Sequence, residues 1–372
     1  MTHDEEWLVE NINYRLFNCN SCGKLNMHND EIKNIIPKNL THLMAVHNGD
    51  LVSTKTLPRK KIIRPSRFLK YCDYLNFNKT YFINFCDGQG WEYDKLVTGI
   101  ENFSVFQFSR RKSQRDSVVL WPLDKQFMNI SRLPKDDLSF DKKHDSIVWR
   151  GRISGTYITD WSSTDTWGFW IQSLVKEADD ISEEQLKQIF NVPRYKAVYE
   201  LSNKKYCDVS FTTNKFEQDN IEKCKVKSKY FKDLLGSRLE RVEQQNSKYI
   251  LVTPGNCYPT SLYWSMLSNS VVFLVNTEWE TILDCNLKPW VHYVPVDPSH
   301  DDVMKKFEQL QSNPNLAADI INNAHEHLKP YANNELRDRL DYLTLCHYES
   351  KNISSELALN NVSFTRGDLG IS

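Results

Sequence analysis

Lys248-Tyr-Ile-Leu-Val-Thr-Pro-Gly-Asn-Cys-Tyr-Pro-Thr-Ser261 decides the fold class of this 372-residue chain. Its first half is a short run of aromatic and aliphatic residues that ends on Pro254-Gly255, the pattern of a buried strand stopped by a turn. Thr260 or Ser261 can then cap a helix over Leu262 to Leu267. A strand that turns into a helix is half of a β-α-β unit, and the pattern recurs on both sides. Ser146 to Trp149, Val209 to Phe211 and Val271 to Val275 read as further strands, with amphipathic stretches at Glu184 to Phe190 and Lys227 to Glu243. Such alternation predicts an α/β chain with a parallel sheet.

Working outward, Ser299 with Asp302 predicts a helix start, with the helix running through Leu310, and Asn313-Pro314 opens another to about Leu328. Beyond Pro330, Leu336, Leu340 and Leu343 fall at helical spacing, and the tail after Asn352 is polar. On the N-terminal side, Tyr81 to Cys86 and Val118 to Trp121 read as buried strands. Pro134-Lys-Asp-Asp and Asp141-Lys-Lys-His-Asp form a charged, poorly periodic link. The expected organisation is residues 1–140, an acceptor-binding domain; 141–330, a nucleotide-binding Rossmann-like domain; and 331–372, a C-terminal helix and tail.

Composition narrows the function. Hydrophobic residues make up 40% and charged ones 26%, which excludes a disordered chain, and the length suits two domains handling two substrates. Lys and Arg number 47 against 48 Asp and Glu, so there is no whole-molecule field for nucleic acid. Nine irregularly spaced cysteines argue for a reducing compartment. No apolar run reaches membrane-spanning length and the first ten residues carry acidic side chains, so a cytoplasmic protein is expected. The 10 Trp and 17 Tyr suit sugar faces, although the same rings fill cores.

Three stretches can carry chemistry. Ile147-Val-Trp-Arg-Gly-Arg-Ile-Ser-Gly155 runs from a strand into a loop whose arginine forks match phosphate oxygens; the competing reading is a solvated turn. The loop from Gly255 to Ser261 would lie at the carboxyl end of a strand, where ligands of open α/β sheets bind; the competing reading is an ordinary strand-to-helix turn. It lacks the spacing of a P-loop. Tyr81-Phe-Ile-Asn-Phe-Cys-Asp87-Gly88 puts a carboxylate at the mouth of a strand, where it can act as a general base or simply make a turn.

Metal sites are not expected. Cys19-x-x-Cys22 with His28 is only half a zinc pattern, His325 and His327 point to different helix faces, and Asp160 and Asp165 are not an Asp-x-Asp pair. Arg59-Lys60-Lys61 with Arg64 and Arg67, and Arg110-Arg111-Lys112 with Arg115, are basic clusters that either face an anionic acceptor or membrane, or are solvated faces.

Ordered blocks extend these stretches: Val148-Trp-Arg-Gly-Arg152, Asn191-Val-Pro-Arg194, Cys207-Asp-Val-Ser-Phe-Thr212, Lys248-Tyr249, Asn269-Ser-Val-Val-Phe-Leu274, Glu278-Trp279 and Leu287-Lys-Pro-Trp-Val-His-Tyr-Val-Pro-Val296. This series resembles glycosyltransferase family 90, over about residues 80 to 345. The resemblance implies a GT-B fold, two Rossmann-like domains facing a central cleft, and inverting, metal-independent transfer with no cofactor beyond the nucleotide-sugar donor, expected to be a UDP-sugar.

It further implies Asp87 as the catalytic base, since Ile83-Asn-Phe-Cys-Asp87 matches the family's base-bearing strand at Ile, Asn and Asp. The implied nucleotide-binding set is Arg150, Gly151, Arg152, Ser154, Arg194, Gly255, Asn256, Tyr258, Thr260, Ser261 and Glu278. Where eukaryotic members carry an arginine in the second loop this chain has Ser261, and where they carry another after the Trp-Arg-Gly block it has Tyr157 and Ile158. The leaving-group charge then falls to Arg150, Arg152, Arg194 and a helix N-terminus. The expected partners are a nucleotide sugar and a glycan or glycolipid acceptor of lipopolysaccharide or capsule assembly, with peripheral association at the inner membrane face and no nucleic acid. Alternatives are a protein O-glycosyltransferase and an inactive glycan-binding relative.

Overall fold

The β-branched and aromatic runs do form strands. A computed structural model describes residues 2–19, 25–36, 43–54, 64–74, 79–85, 104–123, 135–152, 192–212, 234–255 and 257–350, and residues 100, 133, 182, 184, 187 and 189 singly. In chain order the strands are β1 (Met44–His47), β2 (Asp50–Ser53), β3 (Thr80–Ile83), β4 (Val105–Gln107), β5 (Arg110–Arg111), β6 (Val118–Leu120), β7 (His144–Gly151), β8 (Cys207–Phe211), β9 (Ser247–Val252), β10 (Val271–Val275), β11 (Trp279–Glu280) and β12 (Val294–Val296). The main helices are α1 (His3–Leu16), α2 (Asn29–Ile35), α3 (Ser66–Tyr74), α4 (Pro193–Leu201), α5 (Val303–Gln311), α6 (Pro314–Ala332) and α7 (Asn334–Ser350).

These elements form two units. The first comprises Met1–Ser131, Trp279–Asn286 and Pro330–Ser372; the second comprises Arg132–Glu278 and Leu287–Lys329. The first unit's main sheet runs β2-β1-β3-β4-β6, with an antiparallel β1–β2 edge and parallel β3, β4 and β6. The sheet is therefore mixed rather than wholly Rossmann-like.

Alternation along its strands sorts two cores. Val52, Phe82, Val105 and Val118 meet Ile32 and Ile36 on one face. Phe106 and Tyr81 point to the other, where Phe68, Trp121 and Tyr348 pack edge to face with them. Helix α1 starts with a Thr2–Glu5 capping box and lays Leu8 and Ile12 against Leu336, Leu340 and Leu343 of α7.

The second unit's sheet runs β12-β10-β9-β7-β8, with every adjacent pair parallel. Read from the β8 edge, the order of chain entry is second, first, third, fourth, fifth, so the direction of winding reverses between β7 and β9. Its core is continuous from Ile147 and Trp149 through Tyr249 and Phe273 to Phe307 and Leu310 of α5.

Three local expectations need correcting. Over Lys227 to Glu243, the described part is helical only at Arg241–Gln244; Leu235 instead bridges to Phe211 of β8, and Gly236 to Glu240 are irregular. Gly236 is required there, because a β-carbon would overlap the Ser210 side chain. Helix α5 begins at Val303, with Asp302 rather than Ser299 at its N-cap, because the Asp302 carboxylate accepts from the Asp297 amide 3.2 Å away. Helix α6 continues through Pro330 to Ala332; a proline so near the end forfeits only its bond to the Glu326 carbonyl.

Candidate functional site

Strands β7 and β9 flank the point where winding reverses, and the carboxyl ends of strands at such a point are the usual ligand position in an open α/β sheet. Three stretches meet there: Trp149-Arg-Gly-Arg152 at the end of β7, Arg194 in the first turn of α4, and Thr253-Pro-Gly255 after β9. Pro193 starts α4, its fixed φ and missing N–H suiting the first helical position.

Arg194 ties the stretches together. Its Nη1 donates to the Arg152 carbonyl at 3.4 Å, its guanidinium carbon lies 6.0 Å from the Trp149 ring centroid, and a β-carbon on Gly255 would come within 2.5 Å of its Nη2. The glycine at 255 is there to admit the arginine fork. Arg152, whose carbonyl Arg194 reaches, is itself exposed.

Arg150, expected to face phosphate, is hydrogen-bonded within the second unit. Its Nε donates to the Ser237 carbonyl (2.9 Å), Nη1 to the Trp149 and Asp208 carbonyls (3.0 and 2.7 Å), and Nη2 to the Asp208 carboxylate (2.6 Å). These bonds lash β7 to β8 and the Gly236 turn. At Gly151 a β-carbon would overlap the Trp149 indole.

Of the remaining candidates, Tyr258 is buried, while Thr260, Ser261 and Glu278 are half-buried. Glu278 leaves the carboxyl end of β10, the neighbour of β9. Ser261 precedes a helical turn of only four residues, Leu262–Ser265, and makes no side-chain cap. The helix expected after Ser261 therefore starts where predicted but is one turn long and lacks a side-chain cap. Ser154, Asn256 and Asp87 lie outside the described residues. Strand β3, which leads toward Asp87, is described to its end and on to Phe85, whose carbonyl accepts from Arg64 Nη1 at 2.7 Å.

Most arginines of the basic clusters are tied up internally where they are described. Arg110 and Arg111 are buried, Arg110 and Arg115 both pair with Glu280, and Arg67 pairs with Asp338 and Asp341. Residues 59–61 lie outside the described set. Cys19 is buried with its thiol pushed up to about 11 by burial, and His28 sits at the start of α2. His325 Nε2 contacts the Ser268 carbonyl, whereas His327 stacks beside His292 with ring centroids 4.9 Å apart. No helix among the described residues is long and apolar enough to cross a membrane.

The sequence model of glycosyl transferase family 90 matches residues 105–342, nearly two thirds of the chain and both of these β-strand ends. The chain belongs to glycosyltransferase family 90. Curated relatives agree over shorter segments. Protein O-glucosyltransferase 1 of Rattus norvegicus is 31% identical over 96 residues, 25% of this chain and 24% of the relative. The human protein of that name is 27% identical over 126 residues, 33% of this chain and 30% of the relative. O-glucosyltransferase LpsA of Dichelobacter nodosus is 31% identical over 93 residues, 25% of this chain and 29% of the relative. The matched segments thus span between a quarter and a third of these relatives.

One further group at the carboxyl ends of this family 90 chain titrates abnormally. His300, in the loop after β12, is buried with a left-handed backbone (φ 65°). Burial, reinforced by Lys196 and opposed by the Pro298 carbonyl, Asp302 and Asp297, lowers its imidazole to about 4. A depressed folded-state value means that the unfolded chain binds this proton more readily. The contribution is therefore complete above the ordinary value of about 6.5 and is lost as pH falls from there toward 4. His300→Asn, which tolerates the same backbone, is expected to remove of order 3 kcal/mol of that acid dependence. Urea melts from pH 7 to 4 would show it as a flatter stability profile; an unchanged slope would refute it.

Proposed function

We propose that the protein is an inverting, metal-independent glycosyltransferase that moves a sugar from a nucleotide-sugar donor to a hydroxyl of a glycan acceptor. The observation that carries this reading is the Arg194 guanidinium fixed across the β7 and β9 ends at the winding reversal, beside Arg152, in a chain of family 90. As in a GT-B enzyme, the second unit holds the donor and the first unit the acceptor and Asp87. Asp87 takes the proton of the acceptor hydroxyl as its oxygen attacks the anomeric carbon. The bond from that carbon to the diphosphate breaks on the opposite face, and the nucleotide diphosphate carries away the electron pair. Arg152 and Arg194 meet the charge that develops on it, Glu278 accepts from donor hydroxyls, and Arg150 keeps the β7 end rigid.

The O-glucosyltransferase names of the relatives put UDP-glucose first among donors to test. They also favour a second reading with a protein acceptor, since two of them are protein O-glucosyltransferases. Most arginines of the described basic clusters are tied up internally, so lipopolysaccharide or capsule assembly at a membrane face rests on the family resemblance alone. The test is to incubate the chain with a panel of labelled UDP-sugars, in EDTA, and with lipid-linked glycans or folded proteins as acceptors. Transfer or slow donor hydrolysis that persists in EDTA is expected. A chain that turns over no nucleotide sugar with any acceptor would contradict the proposal and favour an inactive glycan binder.

A further inference from the structure

We propose that Trp149 is a positioning residue for the donor diphosphate, acting through Arg194; this rests on reading the β7 and β9 ends as the donor site. Trp149 and Gly151 are two residues apart on β7 and share a face. Missing a side chain, Gly151 lets the indole fold over the strand end, where a β-carbon would collide with its six-membered ring. The ring is fixed from the far side by Phe211 of β8, edge to face at 5.9 Å, and it is buried.

On this platform sits the Arg194 guanidinium. Its carbon is 6.0 Å from the ring centroid, its Nη1 reaches the Arg152 carbonyl at 3.4 Å, and Gly255 closes the third side. A free arginine loses rotamer freedom when it grips a phosphate; one already wedged between an indole and a glycine loses less. The indole also favours the cation electrostatically, so it raises the population of the fork in one place. A planar fork held at a strand end fits two oxygens of a diphosphate. Trp149 touches no ligand in this scheme.

The test is a double-mutant cycle read by calorimetric titration with inorganic pyrophosphate and with UDP. Arg194→Ala weakens both ligands. Trp149→Leu is expected to weaken both about three- to fivefold in the wild-type background, with Trp149→Phe between the two, and to have no further effect when Arg194 is already alanine. Equal weakening by Trp149→Leu in both backgrounds would make the tryptophan a core residue only and overturn the inference, while leaving the donor-site reading intact. If Trp149→Leu melts before titration, Gly151→Ala decides in its place: its β-carbon displaces the indole, so its effect must likewise vanish without Arg194, and additivity overturns the proposal. A wild-type chain that binds neither pyrophosphate nor UDP overturns the donor-site reading and this inference together.

Discussion

Asp87→Asn is expected to reduce sugar transfer by about 10²- to 10⁴-fold while leaving donor affinity unchanged. Asparagine keeps the shape of aspartate but cannot accept the acceptor's proton. The attacking oxygen would then remain a neutral hydroxyl, a far weaker nucleophile toward the anomeric carbon. In the proposed site the donor charge is met by Arg152 and Arg194 of the second unit rather than by Asp87, so UDP binding should survive. The described chain supports the placement up to the approach: Asn84 is buried with its amide donating to the Phe106 carbonyl at 2.9 Å, and Phe85 is buried beyond it. The segment therefore continues the parallel β3–β4 pairing past the strand's end as far as Asn84. Single-turnover transfer and calorimetry on the same preparation separate the outcomes. Undiminished turnover would remove Asp87 as the base; lost transfer together with lost UDP affinity would make it part of the donor site or of the fold.

How much of this was legible in the sequence depended on the range of the interactions involved. The strands were readable because burial on both faces demands unbroken apolar runs, as in Val271 to Val275, and local composition alone records that demand. Arginine roles were not readable. Arg110 and Arg111 sit in a basic cluster that looks solvated, yet their partners are a carboxylate 170 residues on and the indole of Trp279. The same holds for Arg150, whose phosphate-like setting conceals three backbone carbonyls and Asp208. The Arg194 site was half legible: the arginine and Gly255 stand in separate motifs, and only the sheet order brings them together. The one local clue was Trp149 two residues before Gly151, where a glycine on the tryptophan's own strand face leaves room for the ring. The return of Trp279–Asn286 to the first unit left no boundary signal, because a two-residue strand has no periodicity to read.

That returning segment carries the largest expected stability effect, the replacement of Glu280 by alanine. Glu280 on β11 pairs in antiparallel register with Arg110 on β5, and its carboxylate accepts from Arg110 Nε at 2.8 Å and from Arg115 Nε and Nη2 at 2.9 and 2.7 Å. Burial pushes its carboxyl upward, but the Arg115 hydrogen bond and the Arg110 charge outweigh burial and hold it below the usual carboxylate range. Arg110 is fully buried, and its other donors go to the carbonyls of Arg15, Val118 and Tyr14. Those carbonyls satisfy its hydrogens but carry no net charge to balance it. Glu280→Ala leaves this guanidinium charge buried without its carboxylate, a change that costs about 3–5 kcal/mol. For a unit of this size that corresponds to a fall in melting temperature of roughly 10 °C. The pair is not interchangeable with its exposed neighbour: Arg115→Ala removes a partner that is 36% exposed, and should cost about 1 kcal/mol or less. Calorimetric melts of the two variants test the ranking. A Glu280→Ala loss as small as that of Arg115→Ala would mean that the Arg110 charge is relieved by water or by rearrangement, and that β11 does not hold the first unit together through this pair.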